Sequence, residues 1–179
     1  MLDEKNCCLV VVDVQGKLAG LMHDKDALFK NIRILIQSAK ILDIPVLWCQ
    51  QVPSVLGPTA QGIAELLADN EPINKSSFSC AGCDEFNKKL NELGLKQVLL
   101  CGIETHVCVY QSAMDLLSKG YEVIVSADAV SSRTFDNKQI GLNQMAAEGA
   151  RISSTEMALF EILKSADHPH FKQIAKFMK

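Results

Sequence analysis

Residues 96–127, KQVLLCGIETHVCVYQSAMDLLSKGYEVIVSA, decide the fold class. The short apolar run KQVLLCG (96–102) has the length and composition of a strand buried on both faces. Residues 105–119 read as a helix, with Thr105 placed to cap its amino end and Gly120 to stop it. A second apolar run, YEVIVSA (121–127), follows at once. A strand, a helix and a strand joined by short connections make a crossover unit with parallel strands.

The same alternation continues in both directions. Upstream, CCLVVVD (7–13) is a continuous apolar run ending in an acid, as expected of a strand covered on both sides. Residues 25–42 carry Leu28, Ile32, Leu35, Ile36, Ala39 and Leu42 at helical spacing, and Pro45 forbids further helix. VLWCQ (46–50) is a second strand, followed by the Pro/Gly-rich loop QQVPSVLGP and a short helix at 59–68. PINK (72–75) is a third strand, and residues 83–93 form a polar amphipathic helix stopped by Gly94. Downstream lie a helix at 134–148 ended by Gly149, a strand at 150–153, a helix at 155–164 and a basic amphipathic tail helix at 168–179. The pattern predicts a three-layer α/β fold, a doubly wound, mostly parallel six-stranded sheet in the order 3-2-1-4-5-6. One domain is expected over 1–179, since 179 residues suffice for a single large core.

Composition excludes several classes. Eighteen basic against 21 acidic residues leave a net charge of −3, which is no footprint for nucleic acid. No apolar run approaches the roughly 18 residues of a membrane span, and no basic segment precedes a signal-type core. Seven cysteines are an odd number in a chain that needs no staples, so free thiols and a cytoplasmic location are expected.

Doubly wound sheets bind ligands beyond the carboxyl ends of their strands, where the strand order reverses. The residues there are Asp13 and Gln15, Gln50 and Gln51, Lys75, the stretch from Gly102 to Cys108, and Asp128. Three of them have chemistry that fits together. Cys108 falls in the first turn of a helix, where unpaired N–H groups and partial positive charge favour a thiolate. Asp13 ends the neighbouring strand, and Lys75 can reach the same crevice. An acid, a cation and a thiol together make a nucleophile with a base and a stabilising charge.

Asp13-Val14-Gln15, Lys75 followed by Phe78, and GIETHVCV from Gly102 to Val109 resemble the isochorismatase-like cysteine hydrolases. The resemblance covers roughly residues 7–163, and it is specific as a composite of Asp, Lys and Gly-x-x-Thr-x-x-Cys in this order. The loop with Gln50, Pro53, Leu56, Gly57 and Pro58 looks most like the small isochorismatase-domain hydrolases of unsettled substrate. The resemblance implies a Rossmann-like fold and a mechanism. Cys108 attacks a carbonyl carbon, Asp13 carries the proton to the leaving group, and Lys75 holds the charge. It also implies a cis peptide at Ile103–Glu104, serving to aim the amides near Thr105 and Cys108 as an oxyanion hole. Gln15, Gln50 and Phe78 are pocket candidates. Nicotinamidases carry an Asp-x-His after the second strand, which binds metal. Here Gln50-Gln51-Val52-Pro53 stands in that place, so neither a metal nor a cofactor is expected. Because Cys108 is present, an amide, carbamoyl or related C–N bond is a better substrate than isochorismate. Members of such families are commonly homo-oligomers, and Phe171 and Phe177 in the tail suit packing on a neighbour.

The plainer readings differ by residue. Cys7, Cys8, Cys49 and Cys101 lie within strands and read as core, and the Cys80/Cys83 pair lacks a second pair to complete a zinc set. His106 follows the helix past the reacting face, and Lys172, Lys176 and Lys179 form a solvated stripe. Two other classes of function are open. The chain could be an inactive oligomeric or interaction protein keeping a relic triad, with an ordinary thiol and a closed pocket. It could also be a nucleotide- or flavin-binding module, but DVQGKLAG spaces Gly16 and Gly20 wrongly for G-x-G-x-x-G.

Overall fold

In a computed structural model the described residues are 1–178. Six strands form one parallel sheet in the order β3-β2-β1-β4-β5-β6. They are β1 (Cys7–Val12), β2 (Val46–Gln51), β3 (Ile73–Lys75), β4 (Gln97–Ile103), β5 (Glu122–Ser131) and β6 (Arg151–Ser153). β1 and β4 are adjacent, with Val12 opposite Gly102, so the order of the chain reverses between them. This is the expected architecture.

The β1 sequence shows why the sheet is covered on both faces. Cys7, Leu9 and Val11 point into one core, and Cys8, Val10 and Val12 into the other. The first core is closed by α2 (Lys25–Ile41), α8 (Thr155–Leu163) and α9 (Phe171–Ala175). The second is closed by α5 (Asp84–Leu93), α6 (Tyr110–Ser118) and α7 (Phe135–Ala147). Shorter α1 (Gly16–Ala19), α3 (Pro53–Leu56) and α4 (Gln61–Ala64) occupy the loops after β1 and β2. No described helix is long and apolar enough to cross a membrane.

Three expectations are corrected. The predicted helix from 105 begins as a π turn, Thr105–Val109, and becomes α-helical only at Tyr110. Thr105 is not its cap: Glu104 holds that position in extended backbone, and the buried Thr105 Oγ1 has no partner. The reason is that the Glu104 carbonyl accepts from both Val107 and Val109, which widens the turn by one residue. Second, β5 runs on to Ser131, past the polar Asp128 that seemed to end it. A register shift between Leu100 and Gly102 lets Val130 and Ser131 pair with Gly102 and Ile103. Third, the tail is a short helix followed by a 3₁₀ turn, Lys176–Met178, and its last residue, Lys179, lies outside the described residues. Phe171 and Phe177 are partly buried against the chain's own core, with Phe171 5.9 Å from Phe160.

Candidate active site

Asp13 is the first residue beyond β1. It adopts a left-handed conformation, φ 49°, which aspartate tolerates better than most side chains, and its N–H bonds the Cys49 carbonyl at 3.2 Å. The turn directs the carboxylate across the end of the sheet toward Lys75, the last residue of β3. Lys75 Nζ donates to Asp13 Oδ2 at 2.6 Å and to Gln51 Oε1 at 2.7 Å. It also donates to the carbonyls of Phe78 at 2.9 Å and Ser77 at 3.1 Å. Both members of the ion pair are buried. Cys108, in the π turn after the neighbouring strand β4, completes the cluster, and its thiol and the Asp13 carboxyl each shift the other's ionisation. Asp13 Oδ1 has no closed hydrogen bond of its own. The structure thus brings together Asp13, Lys75 and Cys108 from three strand ends.

Their electrostatics follow from burial. Loss of solvent lifts the Asp13 carboxyl above its ordinary range, although the Lys75 charge pulls it back. For Lys75, burial opposes the charge, but the Asp13 carboxylate outweighs it and the ammonium's pKa is raised. The Cys108 thiol is pushed up to about 12, first by burial and then by the Asp13 carboxylate, with Lys75 acting in the opposite sense. The helix end was expected to favour the thiolate; burial and the Asp13 carboxylate act in the opposite direction.

The remaining candidates have different roles from those their positions suggested. Gln15 is fully buried, and its carboxamide clamps the backbone of Gln51 through both N–H (2.6 Å) and C=O (3.2 Å) and also donates to Gly57 O at 2.8 Å. Gln50 accepts from Thr59 N and Oγ1, at 3.0 and 3.1 Å. Both glutamines hold loops in place. The Phe78 ring is exposed, and only its carbonyl serves the cluster. The Ile103–Glu104 peptide is cis. Glu104 itself points away from Cys108's partners and pairs with the half-exposed Arg133 at 3.1 Å. His106 bonds Ser132 Oγ at 2.9 Å, away from the ion pair. Asp128 secures α8 by accepting from Thr155 N and Oγ1, at 2.7 and 2.9 Å.

Sequence reasoning passed over two residues. Gln51 was visible only as a position after β2, yet it is a direct partner of Lys75. Ser112, on α6, donates to Cys108 O at 2.6 Å and accepts from Cys80 N at 2.8 Å, tying the Cys108 turn to the loop that holds Lys75. Nothing in a lone helical serine announces that. Among the described residues no three His, Cys, Asp or Glu side chains converge as a metal would require. A cleft of about 810 Å³ opens at the opposite end of the sheet, beside Glu4, Pro45, Leu95 and His168. It is remote from the cluster and carries none of its chemistry.

The buried thiols give the fold a defined pH limit. All seven cysteines are free. Burial pushes Cys7 and Cys8, like Cys108, up to about 12 and raises Cys101 too, and the neighbouring Cys80 thiol together with burial raises Cys49. In the unfolded chain these thiols ionise near 9.0. Their folded values are raised, so the stability they contribute is complete below pH 9 and is lost as pH climbs toward 12. Each contributes a slope of up to about 1.4 kcal/mol per pH unit in that window. Urea midpoints are expected to fall steeply between about pH 9 and pH 11 while changing little from pH 7 to 8. A flat profile through pH 10 would show that the thiols are not shielded.

Residues 7–157 match the family profile described as "Isochorismatase domain". A relative from Phytophthora sojae, described as a "Secreted isochorismatase effector", is 39% identical over 175 residues, 96% of this chain and 83% of its own. A solved structure described as a MAR1 ribonuclease from Caenorhabditis elegans is 35% identical, with a TM-score of 0.92 over 99% of this chain and 91% of that one. The YcaC gene product of Escherichia coli, described as an octameric hydrolase of unknown specificity, shares the fold at 20% identity. Its TM-score is 0.90 over 99% of this chain and 94% of that one. The profile spans every strand of the sheet and all three residues of the cluster, and the chain belongs to the isochorismatase-domain family of hydrolases.

Proposed function

We propose that the chain is a metal-independent cysteine hydrolase acting on a small amide, carbamoyl or related C–N substrate. The observation that carries this is the buried Asp13–Lys75 pair at 2.6 Å at the end of β1, with the buried Cys108 in the turn that follows the adjacent strand β4. As the sulfur attacks the carbonyl carbon, its proton passes to Asp13. The C–N bond then breaks, Asp13 returns the proton to the departing nitrogen, and a thioester remains on Cys108. Water, deprotonated by the same carboxylate, cleaves the thioester and restores the thiol. A carboxylate that burial has made more basic than a free aspartate suits both directions of transfer. The developing oxyanion falls to the amides of the 105–108 turn. In support, the Glu104 carbonyl takes the N–H of Val107 and of Val109 but not that of Cys108.

On this reading the substrate is small and is not a nucleic acid. The net charge of −3 and the burial of all three groups support that, and the word ribonuclease belongs to the C. elegans neighbour. The free thiols support a reducing compartment, the cytoplasm, whereas secretion is stated only of the Phytophthora relative. Exposed Val55, Phe78, Phe135 and Ile140, on segments that leave the carboxyl ends of the strands, support a homo-oligomer. One observation favours the rival reading of an inactive relic: Cys108 is only 8% exposed and keeps its proton.

Labelling with iodoacetamide, read by peptide mass spectrometry, separates the two. A working site is expected to alkylate Cys108 in the native protein, and Asp13→Asn to slow that reaction by about 100-fold or more, the usual contribution of a positioned base. Equal rates in Asp13→Asn, or labelling of Cys108 only after denaturation, would favour the relic.

A further inference from the structure

Lys75 offers three N–H bonds, and four acceptors surround it. Asp13 Oδ2, Gln51 Oε1, Phe78 O and Ser77 O lie at 2.6, 2.7, 2.9 and 3.1 Å. An ammonium saturated in this way has no hydrogen left for a substrate, an oxyanion or a leaving group. Two of the acceptors are backbone carbonyls set by the loop after β3, and one is the reacting partner. Gln51 is the single side chain whose purpose at this point is to hold the cation.

Its own placement is over-determined. Gln51 pairs with Lys75 in the β2–β3 register, and its side-chain amide donates to Ser76 O at 2.8 Å, which turns the carbonyl oxygen toward Nζ. Behind it, Gln15 grips the Gln51 backbone at both N–H and C=O. The chain of contacts runs from Gln15 to Gln51 to Lys75 to Asp13, and each member except the last is held by at least two bonds.

We propose that Gln51 is a positioning residue that locks Lys75, so that the ammonium supplies charge to Asp13 and no hydrogen bond or proton to the substrate. The inference rests on the hydrolase reading for its catalytic meaning, but its geometry does not depend on turnover. Asp13 is then the one group that carries protons in the site, and the amides of the 105–108 turn, not Lys75, receive the oxyanion.

The test is made by NMR on the full chain without substrate. Lysine labelled with nitrogen-15 reports the Lys75 ammonium, and carbon-13 at the aspartate carboxyls reports Asp13. In the wild type the Lys75 ammonium hydrogens are expected to exchange slowly enough to give a resolved signal at neutral pH. In Gln51→Leu three acceptors still face the three hydrogens, but the 2.7 Å bond is gone and the hydrogens fall to Asp13 and the longer carbonyl bonds, so their exchange is expected to speed up by about threefold. In Gln51→Glu, a second carboxylate on the same cation is expected to move the Asp13 titration upward by about one pH unit or more. A glutamine that merely packs the loop would leave the Asp13 titration unchanged in Gln51→Glu, and that result would overturn the proposal. So would a Lys75 ammonium exchanging in the wild type as fast as surface lysines. Failure of the hydrolase reading would instead appear as unchanged Cys108 chemistry in Asp13→Asn, with these NMR readouts intact.

Discussion

Replacing Gly102 with alanine is expected to cost about 4 kcal/mol or more, a large share of the roughly 5–15 kcal/mol that stabilises a domain. Gly102 lies in β4 with φ +119°, a conformation that side chains rarely adopt. A Cβ there would lie 2.1 Å from Val12 O and 2.7 Å from Val12 N. Both obstacles are backbone of β1, so no rotamer change relieves the clash. The strands would have to part at the point that sets Asp13 beside the 103–108 segment. Gly94→Ala is the control, since Gly94 has φ +65° but nothing within 4 Å of the added carbon. It should cost only about 1 kcal/mol. Urea denaturation of both variants reads the difference. If Gly102→Ala unfolds within 1 kcal/mol of Gly94→Ala, the close approach of β1 and β4 has been misread.

The second large effect is expected at the ion pair. Lys75→Met leaves the Asp13 carboxylate buried without its cation, and breaking such a pair typically costs about 3–5 kcal/mol. Only a proton can then neutralise Asp13. Its folded-state pKa is already raised above 3.8 by burial and rises further without Lys75. A raised value means stability that is present at low pH and lost as pH rises through the folded pKa. The deficit of Lys75→Met should therefore be greatest at neutral pH and shrink on acidification. Adding Asp13→Asn removes the stranded charge, and the double variant is expected to regain about 2 kcal/mol at pH 7. Denaturant midpoints of the four proteins at pH 7 and about pH 5 complete the cycle. A double variant no more stable than Lys75→Met would mean that the carboxylate was never a burden, and that Asp13 is neutral or solvated in the folded protein.

These two residues also mark how far the sequence could be read. The fold was legible because its signals are local and redundant. CCLVVV must be buried on both faces whatever surrounds it, and Pro45, Gly94, Gly120 and Gly149 end their helices by backbone chemistry that no packing alters. The residue types at the site were legible because Asp13 and Cys108 follow β1 and β4, and Lys75 closes β3, all at the carboxyl end of the sheet. What those side chains do was less so. A helix was expected to cap itself on Thr105 and to prepare a thiolate. The Glu104 carbonyl instead accepts from both Val107 and Val109, and burial with Asp13 pushes the thiol's pKa upward. Gln50 and Gln51 looked alike as consecutive residues, but alternation along β2 sends one to Thr59 and the other to Lys75. Phe78 was expected to wall the pocket; its ring is exposed, and its carbonyl accepts from Lys75, a contact that no side-chain reading could show.

From the sequence by itself came the order of elements, the doubly wound sheet, and the three side chains that meet at its carboxyl end. Those follow from periodicity, from residue-specific backbone limits and from a motif whose members are few. Only the tertiary structure decided the burial of Cys108, the saturation of Lys75, the clamp from Gln15 through Gln51, and the tie of Ser112 between two loops. Desolvation and hydrogen-bond partners depend on which distant segments come within about 3 Å, and contacts between residues 36 or 62 positions apart leave no period in the chain to read.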